Sequence, residues 1–180
     1  MGRGKDLAQV LGISQKDMTR IIVQRSALYR FDEKLIGEKT RSLAVPLHKM
    51  REIHDRIKDL LNRIELPDYL YSPRKGRSPV DNAELHLRHP TLVKLDIKQF
   101  YPSTSSEHVF QFFRYRMRMA EDVAGRLTKL CTIPDRVAFG SPLSPILCAH
   151  VHNDLFSRAA KIFSAEKNPM SLWVDDLAGC

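Results

Sequence analysis

An apolar strand that runs straight into an aspartate, followed some eighty residues later by a second apolar strand that runs into two, is the strongest constraint in this sequence. The first is Thr91-Leu92-Val93-Lys94-Leu95-Asp96-Ile97, rich in β-branched and apolar residues. The second is Leu172-Trp173-Val174, interrupted by Asp175-Asp176, with Leu177-Ala178 beginning a return strand. Strands that are buried or half-buried rarely carry unpartnered carboxylates, because desolvating a charge is costly. Two such strand ends set side by side would make a magnesium site: Mg²⁺ takes a few carboxylate oxygens and completes its octahedron with water and substrate phosphates. Two such ions about 3.5–4 Å apart can stabilise both the attacking and the leaving oxygen of a displacement. Successive strand side chains point to opposite faces, so Asp175 and Asp176 cannot both face Asp96 unless a turn lies there. Asp is a good turn former, and Asp175 is expected to be the stronger ligand with Asp176 assisting. Taken alone, the Asp pair reads as a plain hairpin turn and Asp96 as a strand-end carboxylate capping a helix. The combination and its order carry the metal reading.

Around these strands the sequence predicts mostly helices. Residues 5–25 carry Leu7, Val10, Leu11, Ile13, Met18, Ile21 and Ile22 at helical spacing. Gly12 and Ser14 suggest that one helix stops there and a second is capped. The stretch Leu7–Ser14 loosely resembles part of a helix-turn-helix, but a small helical extension packed on the main domain is the preferred reading. Residues 29–46 predict a β-hairpin turning at Gly37–Thr40 with basic residues near its tip. Pro46 is expected to open an amphipathic helix with Leu47, Met50, Ile53, Ile57, Leu60, Leu61 and Ile64 on one stripe. Tyr71–Pro79 reads as a basic loop and Asn82–His86 as the start of a short helix. Thr104 and Glu107 fit a capping box ahead of a helix containing Val109, Phe110, Phe112 and Phe113. Residues 120–131 look helical, and Phe139–Pro145 is a Gly/Pro loop feeding one long apolar helix over 146–163.

Composition matters at three points. The 180 residues suffice for one domain with a core plus a small extension. A net charge of +8 raises the expectation of a polyanionic partner, since neutralising phosphates releases counterions. Cys131, Cys148 and Cys180 are widely separated and odd in number, which argues against a zinc site or a disulfide framework. No apolar run is long enough to cross a bilayer and the first residues lack a signal-peptide stretch, so a cytoplasmic protein without membrane contact is expected.

Several segments together resemble the reverse transcriptases. Leu92-Val93-Lys94-Leu95-Asp96-Ile97-Lys98-Gln99-Phe100-Tyr101-Pro102-Ser103 is similar to motif A of that family, Phe139–Pro145 to motif B and Trp173-Val174-Asp175-Asp176 to motif C, in the family's order and spacing. Arg41–Pro46 resembles the fingers motif whose Arg reaches the incoming triphosphate, and Asn82-Ala83-Glu84-Leu85-His86 matches the Asn-Ala-x-x-His signature of retron enzymes. The resemblance covers roughly residues 28–180.

It implies an α+β right-hand polymerase fold: a helical extension over 1–28, then fingers and palm over 29–180, with an antiparallel palm sheet packed on helices. It also implies RNA-directed DNA synthesis of the retron type, with Asp96, Asp175 and Asp176 as ligands of two Mg²⁺ ions. Tyr101, five past Asp96, would exclude a ribose 2′-hydroxyl, or else be a core aromatic beside Phe100. Gly140 and Ser141 would line the nucleotide and template floor, where bare backbone allows close approach. Arg41, with Lys39, would clamp the triphosphate. Arg74, Lys75 and Arg77 would contact RNA backbone, and Asn82 and His86, at i and i+4, would either hydrogen-bond RNA or brace the palm. The implied partners are a structured non-coding RNA, its DNA product, dNTPs, and a further polypeptide carrying a thumb or an effector, in an anti-phage setting. Motif B usually has Gln where this chain has Phe139, which raises the alternative of untemplated synthesis. Members of the family continue past the segment matched at Cys180 into a thumb, so the chain is expected to be a fragment, to leave the thumb to another polypeptide, or to be an RNA-binding or assembly subunit without catalysis, with the motif C hairpin poorly paired.

Overall fold

In a computed structural model the chain is described over residues 4–180, leaving the side chains of residues 4–6, Ile36 and Lys39 outside the description. Sequence-local signals set the helix starts. Ser14 caps helix α2 (Gln15–Val23) by accepting from Asp17 N, after α1 (Gly4–Val10) has ended in a left-handed Gly12. Both helices pack on α7 (Glu121–Cys131), and Leu11 and Met18 are wholly buried in the core they share with the rest of the chain. A guanidinium nitrogen of Arg56 donates to the Leu11 carbonyl, closing the C-terminal end of α1.

Strands β1 (Tyr29–Ile36) and β2 (Lys39–Pro46) form the expected hairpin, turning through Gly37 and Glu38 with Gly37 at φ 61°. Tyr29 and Ala44 anchor its root in the core, whereas Phe31 and Leu35 are exposed further out, so the hairpin projects from the body. Pro46 closes β2 rather than opening a helix. The residue before α3 (His48–Leu61) is Leu47, and α3 buries Met50, Ile53, Ile57 and Leu61 of the stripe that the sequence predicts, with His54 buried beside them.

The main sheet has the order β3-β7-β8-β4. Its strands are β3 (Leu70–Ser72), β4 (Val93–Asp96), β7 (Met170–Trp173) and β8 (Asp176–Gly179). The sheet is mixed rather than wholly antiparallel, because β3 joins β7 in parallel. One face is apolar: Leu172, Met170 and Leu177 are buried there, and Gly179 lets the Phe163 ring of α9 (Asn153–Ala165) lie directly on the strand. Two sequence expectations fail here. The return strand is present and β8 is paired on both sides, with β7 and with β4, so the hairpin is well supported. Strand β4 is not buried: it is the sheet's edge, and Val93 and Leu95 remain exposed.

Helices α4 (Pro79–Glu84), α5 (Phe100–Ser103) and α6 (Ser106–Gln111) are short. The capping box of α6 is Ser105 with His108, one residue beyond the expected Thr104 and Glu107; Thr104 instead turns its hydroxyl inward to the Phe100 carbonyl. A π-helical turn over Phe112–Arg116 and a small hairpin of β5 (Thr132–Ile133) and β6 (Arg136–Val137) have no clear sequence signal. The single apolar helix expected over 146–163 is two helices, α8 (Ser144–Val151) and α9, parted at His152. Cys131 and Cys148 are buried free thiols and Cys180 is half-buried. No helix among the described residues is long and apolar enough to cross a membrane.

Gly140 joins hairpin to body. It sits at φ 113°, and a Cβ there would lie 3.4 Å from the Ala44 carbonyl oxygen. The close approach that its bare backbone permits is therefore that of β2, which is also tied by Ala44 N donating to Phe139 O at 2.7 Å. Gly140→Ala is expected to lower unfolding stability by roughly 1–3 kcal/mol, seen as a fall in the denaturant midpoint at unchanged slope.

Candidate active site

The two aspartate-bearing strand ends meet. In the β4–β8 ladder Asp96 is the register partner of Asp176, so their side chains share the polar face of the sheet. Trp173 pairs with Asp176 across a two-residue turn made of Val174 and Asp175. Val174 has φ 61°, the left-handed region that a β-branched residue rarely enters. A positive φ at the first position is what a tight hairpin of this hand requires. The turn is what frees Asp175 from strict alternation, so that Asp175 and Asp176 can both be near Asp96.

The proximity has an electrostatic consequence. Asp175 is half-buried and its carboxyl is held above the ordinary range, first by burial, then by the Asp96 carboxylate and more weakly by Asp176, with Arg41 pulling the other way. Asp176 is engaged by Lys94, whose Nζ is 3.2 Å from Oδ1, an exposed pair on the same face. Among the described residues no three His, Cys, Asp or Glu side chains converge closely enough to hold a metal ion by themselves. The donor set is two mutually repelling carboxylates with a third held aside by an ammonium. This suits a hard divalent cation of the Mg²⁺ type, which takes one or two carboxylates and borrows the rest from phosphates and water.

The raised carboxyl has a consequence for stability. The folded chain holds a proton on Asp175 at pH values where the unfolded chain has lost it. That stabilisation is complete below the unfolded value, about 3.9, and is lost as pH rises through the raised folded value. Without divalent ions, Asp175→Asn is expected to melt higher than wild type at pH 7, with the difference shrinking towards pH 4 in calorimetric scans. Added Mg²⁺ should raise the melting temperature of the wild type and not of the variant.

A cleft of about 560 Å³ opens beside the carboxylates, between the hairpin and the sheet. Asp96 and Asp175 form part of its lining, together with Thr40, Arg41 and Ser42 of β2. Tyr101 of α5 lies on the wall, packed at 5.5 Å from Phe100 and stacked at 5.4 Å and 20° on Phe139. The Arg41 guanidinium lies 5.7 Å from the Phe139 ring centroid. Burial, followed by the charges of Cys148 and Asp175, pushes the Tyr101 phenol well above its ordinary value, so the ring stays neutral.

Other candidates fall elsewhere. The side chain of Lys39 lies outside the described residues. Ser141 is buried, its hydroxyl donating to His54 Nδ1 at 2.6 Å and accepting from Leu143 N at 3.1 Å, so it faces the core and not the cleft. Gly140 is exposed but meets β2. Arg74 reaches back to the Pro67 carbonyl and towards Asp68, Lys75 is exposed, and Arg77 lies 4.7 Å over the Tyr71 ring. The His86 ring is bonded to Ser171 Oγ at 2.8 Å and Cys180 Sγ at 3.0 Å, which ties the turn after α4 to β7 and to the residue following β8. Asn82 Oδ1 is buried with no hydrogen-bond partner among the described residues.

Sequence reasoning missed His54, Lys98, Gln99 and Arg136. The last three line the cleft. Lys98 and Gln99 sit two and three residues past Asp96, so nearness in sequence to the carboxylate is an available signal. Arg136 comes from the unforeseen β5–β6 hairpin and had none.

A family model described as reverse transcriptase (RNA-dependent DNA polymerase) matches residues 33–179. The chain is 33% identical over 153 residues to a protein named retron Se72 reverse transcriptase from Salmonella heidelberg, covering 83% of this chain and 39% of that protein. It is 20% identical over 176 residues to one named retron Ec86 reverse transcriptase from Escherichia coli, covering 96% of this chain and 55% of that protein. The chain thus spans about two fifths to just over half the length of these relatives.

Proposed function

Because the chain belongs to the reverse transcriptase family, we propose that it carries the nucleotidyl-transfer centre of a retron-type, RNA-directed DNA polymerase, acting in the cytoplasm. The single observation that carries the chemistry is the meeting of two aspartate-bearing strand ends, Asp96 in register with Asp176 beside the turn that carries Asp175, at a cleft lined by Asp96, Asp175 and Arg41. The likeness to two retron enzymes supports the branch.

Asp96 and Asp175 would hold Mg²⁺, which when bound would supply charge neutralisation at the attacking 3′-oxygen and at the leaving pyrophosphate. The residues of the chain do the rest. Arg41 offers a forked donor to the triphosphate, from a hairpin whose root is fixed by the Ala44–Phe139 hydrogen bond. Tyr101 presents a neutral aromatic wall where the sugar would sit and selects a deoxyribose by excluding the 2′-hydroxyl. Lys94 neutralises Asp176, which lowers the repulsion that Asp96 and Asp175 must tolerate before a cation binds. The structured RNA would be both partner and template, with basic residues such as Lys75 and Arg77 against its phosphates.

The experiment is incorporation of labelled dNTPs on a primed RNA template with Mg²⁺, alongside an Asp175→Asn/Asp176→Asn double variant. Product from the wild type alone, abolished by ribonuclease pretreatment, is the expected result. Product that survives ribonuclease would replace templated with untemplated synthesis, and equal product from both proteins would overturn the site assignment.

A further inference from the structure

Phe139 is the residue through which the two sides of the cleft touch. It opens the 139–145 loop, is half-buried and lines the cleft wall. Its carbonyl accepts from Ala44 N at 2.7 Å, which pins it to β2 three residues from Arg41. Its ring is nearly parallel to that of Tyr101, at 5.4 Å and 20°, and the Arg41 guanidinium carbon stands 5.7 Å from its centroid. The result is a layered stack of cation, phenyl ring and phenol, reaching from the hairpin arm to the sugar-facing aromatic. A phenyl ring spent only on core packing would be sealed from the cleft. This one forms part of the wall.

Resting on the polymerase reading above, we propose that Phe139 is a specificity-determining positioning residue, setting deoxyribose selectivity through Tyr101 and holding Arg41 for the triphosphate. An aromatic wall rejects a 2′-hydroxyl only if it cannot swing aside. Offset stacking gives the Tyr101 ring a preferred orientation. The same ring gives Arg41 a partner that does not compete for its hydrogen-bond donors, because a cation over a π face leaves the N–H fork free for phosphate. An aliphatic side chain at 139 fills space but supplies neither interaction. An amide, which motif B of the resembling family usually has here, would bond the ligand instead of bracing the wall.

The test compares wild type, Phe139→Leu, Phe139→Tyr, Tyr101→Ala and the Phe139→Leu/Tyr101→Ala double variant in single-nucleotide incorporation with dNTP and rNTP. KM and kcat are separated, and thermal melts establish that each variant is folded. Phe139→Leu is expected to cut the dNTP-over-rNTP preference by roughly tenfold and to raise the dNTP KM by about threefold, more than it changes kcat. Phe139→Tyr, which keeps the stack, should restore both. In the Tyr101→Ala background Phe139→Leu should lower selectivity no further, since the residue acts through the Tyr101 ring. Wild-type incorporation combined with an unchanged preference in folded Phe139→Leu would overturn this inference alone. Failure of the wild type to incorporate either nucleotide would overturn the polymerase reading and this inference with it.

Discussion

Asp175→Asn is expected to reduce nucleotide incorporation by roughly a thousandfold or more while leaving the chain folded and its affinity for RNA intact. The estimate follows from the several kcal/mol that metal-assisted charge stabilisation contributes, at about 1.36 kcal/mol per factor of ten. Asparagine is nearly isosteric, so the turn through Val174 should persist. What disappears is the charge, and with it the burial cost and then the repulsion from Asp96 that together raise the Asp175 carboxyl. The same substitution should therefore make the divalent-free protein more stable as it makes it inactive. Stability gained on removing the charge is what the proposed site predicts, whereas a carboxylate that holds the fold together would lose stability. Asp176→Asn should cost less, about tenfold, because Asp176 is already committed to Lys94 and does not line the cleft. Primer extension and melting curves on the two single variants check this; equal losses would mean that Lys94 releases Asp176 when substrate binds.

His54→Leu should have the largest effect on stability, roughly 3–5 kcal/mol, or about 10 °C in melting temperature for a chain of this size. His54 is wholly buried on α3. Its Nε2–H donates to the Leu130 carbonyl at 2.8 Å, with Tyr29 Oη at 3.2 Å, and its Nδ1 accepts from Ser141 Oγ at 2.6 Å. One ring thus joins the hairpin root, the end of α7 and the loop that carries Phe139 and Gly140. Leucine fills the volume but strands the Leu130 carbonyl and the Ser141 hydroxyl. Burial holds the imidazole down to about 4, against a bond to Leu130 that favours the charged form. A depressed value means that the folded state requires neutral His54. Its contribution is present above about pH 6.5 and is lost as pH falls towards 4, on the order of 3 kcal/mol in all. His152, also down to about 4, titrates over the same window. Wild type should therefore lose stability steeply across that range and His54→Leu less steeply. Parallel curves would show that the network does not depend on the neutral ring.

Much of the site could be read from residue order. Asp96, Asp175, Arg41 and Tyr101 all border one cleft: the carboxylates stand out because a charge at the end of an apolar strand is costly, whereas Arg41 and Tyr101 stand out only by their places in segments that resemble the family's motifs. The candidates that landed elsewhere had weaker signals. Ser141 is a small polar residue in a Gly/Pro loop, and nothing local says whether its hydroxyl turns to solvent or to the core. It turned inward because His54, 87 residues away, needed a donor. Gly140 is expected from the resemblance to line the nucleotide floor, but the group that approaches its bare backbone is strand β2.

The sequence by itself determined the helical stripes, the hairpin at Gly37 and the two strand ends that bear aspartates. These depend on periodicity and turn chemistry over a few residues, which the chain carries locally. Only the tertiary structure decided that β4 lies at an exposed edge, that β3 enters the sheet in parallel, and that β8 is paired on both sides. It also decided that Phe139 stacks between Arg41 and Tyr101. Those outcomes are long-range pairings whose partners lie tens of residues apart. Their energies come from burial and from satisfying hydrogen bonds across the whole core, and no window of neighbouring residues contains both halves of such a contact.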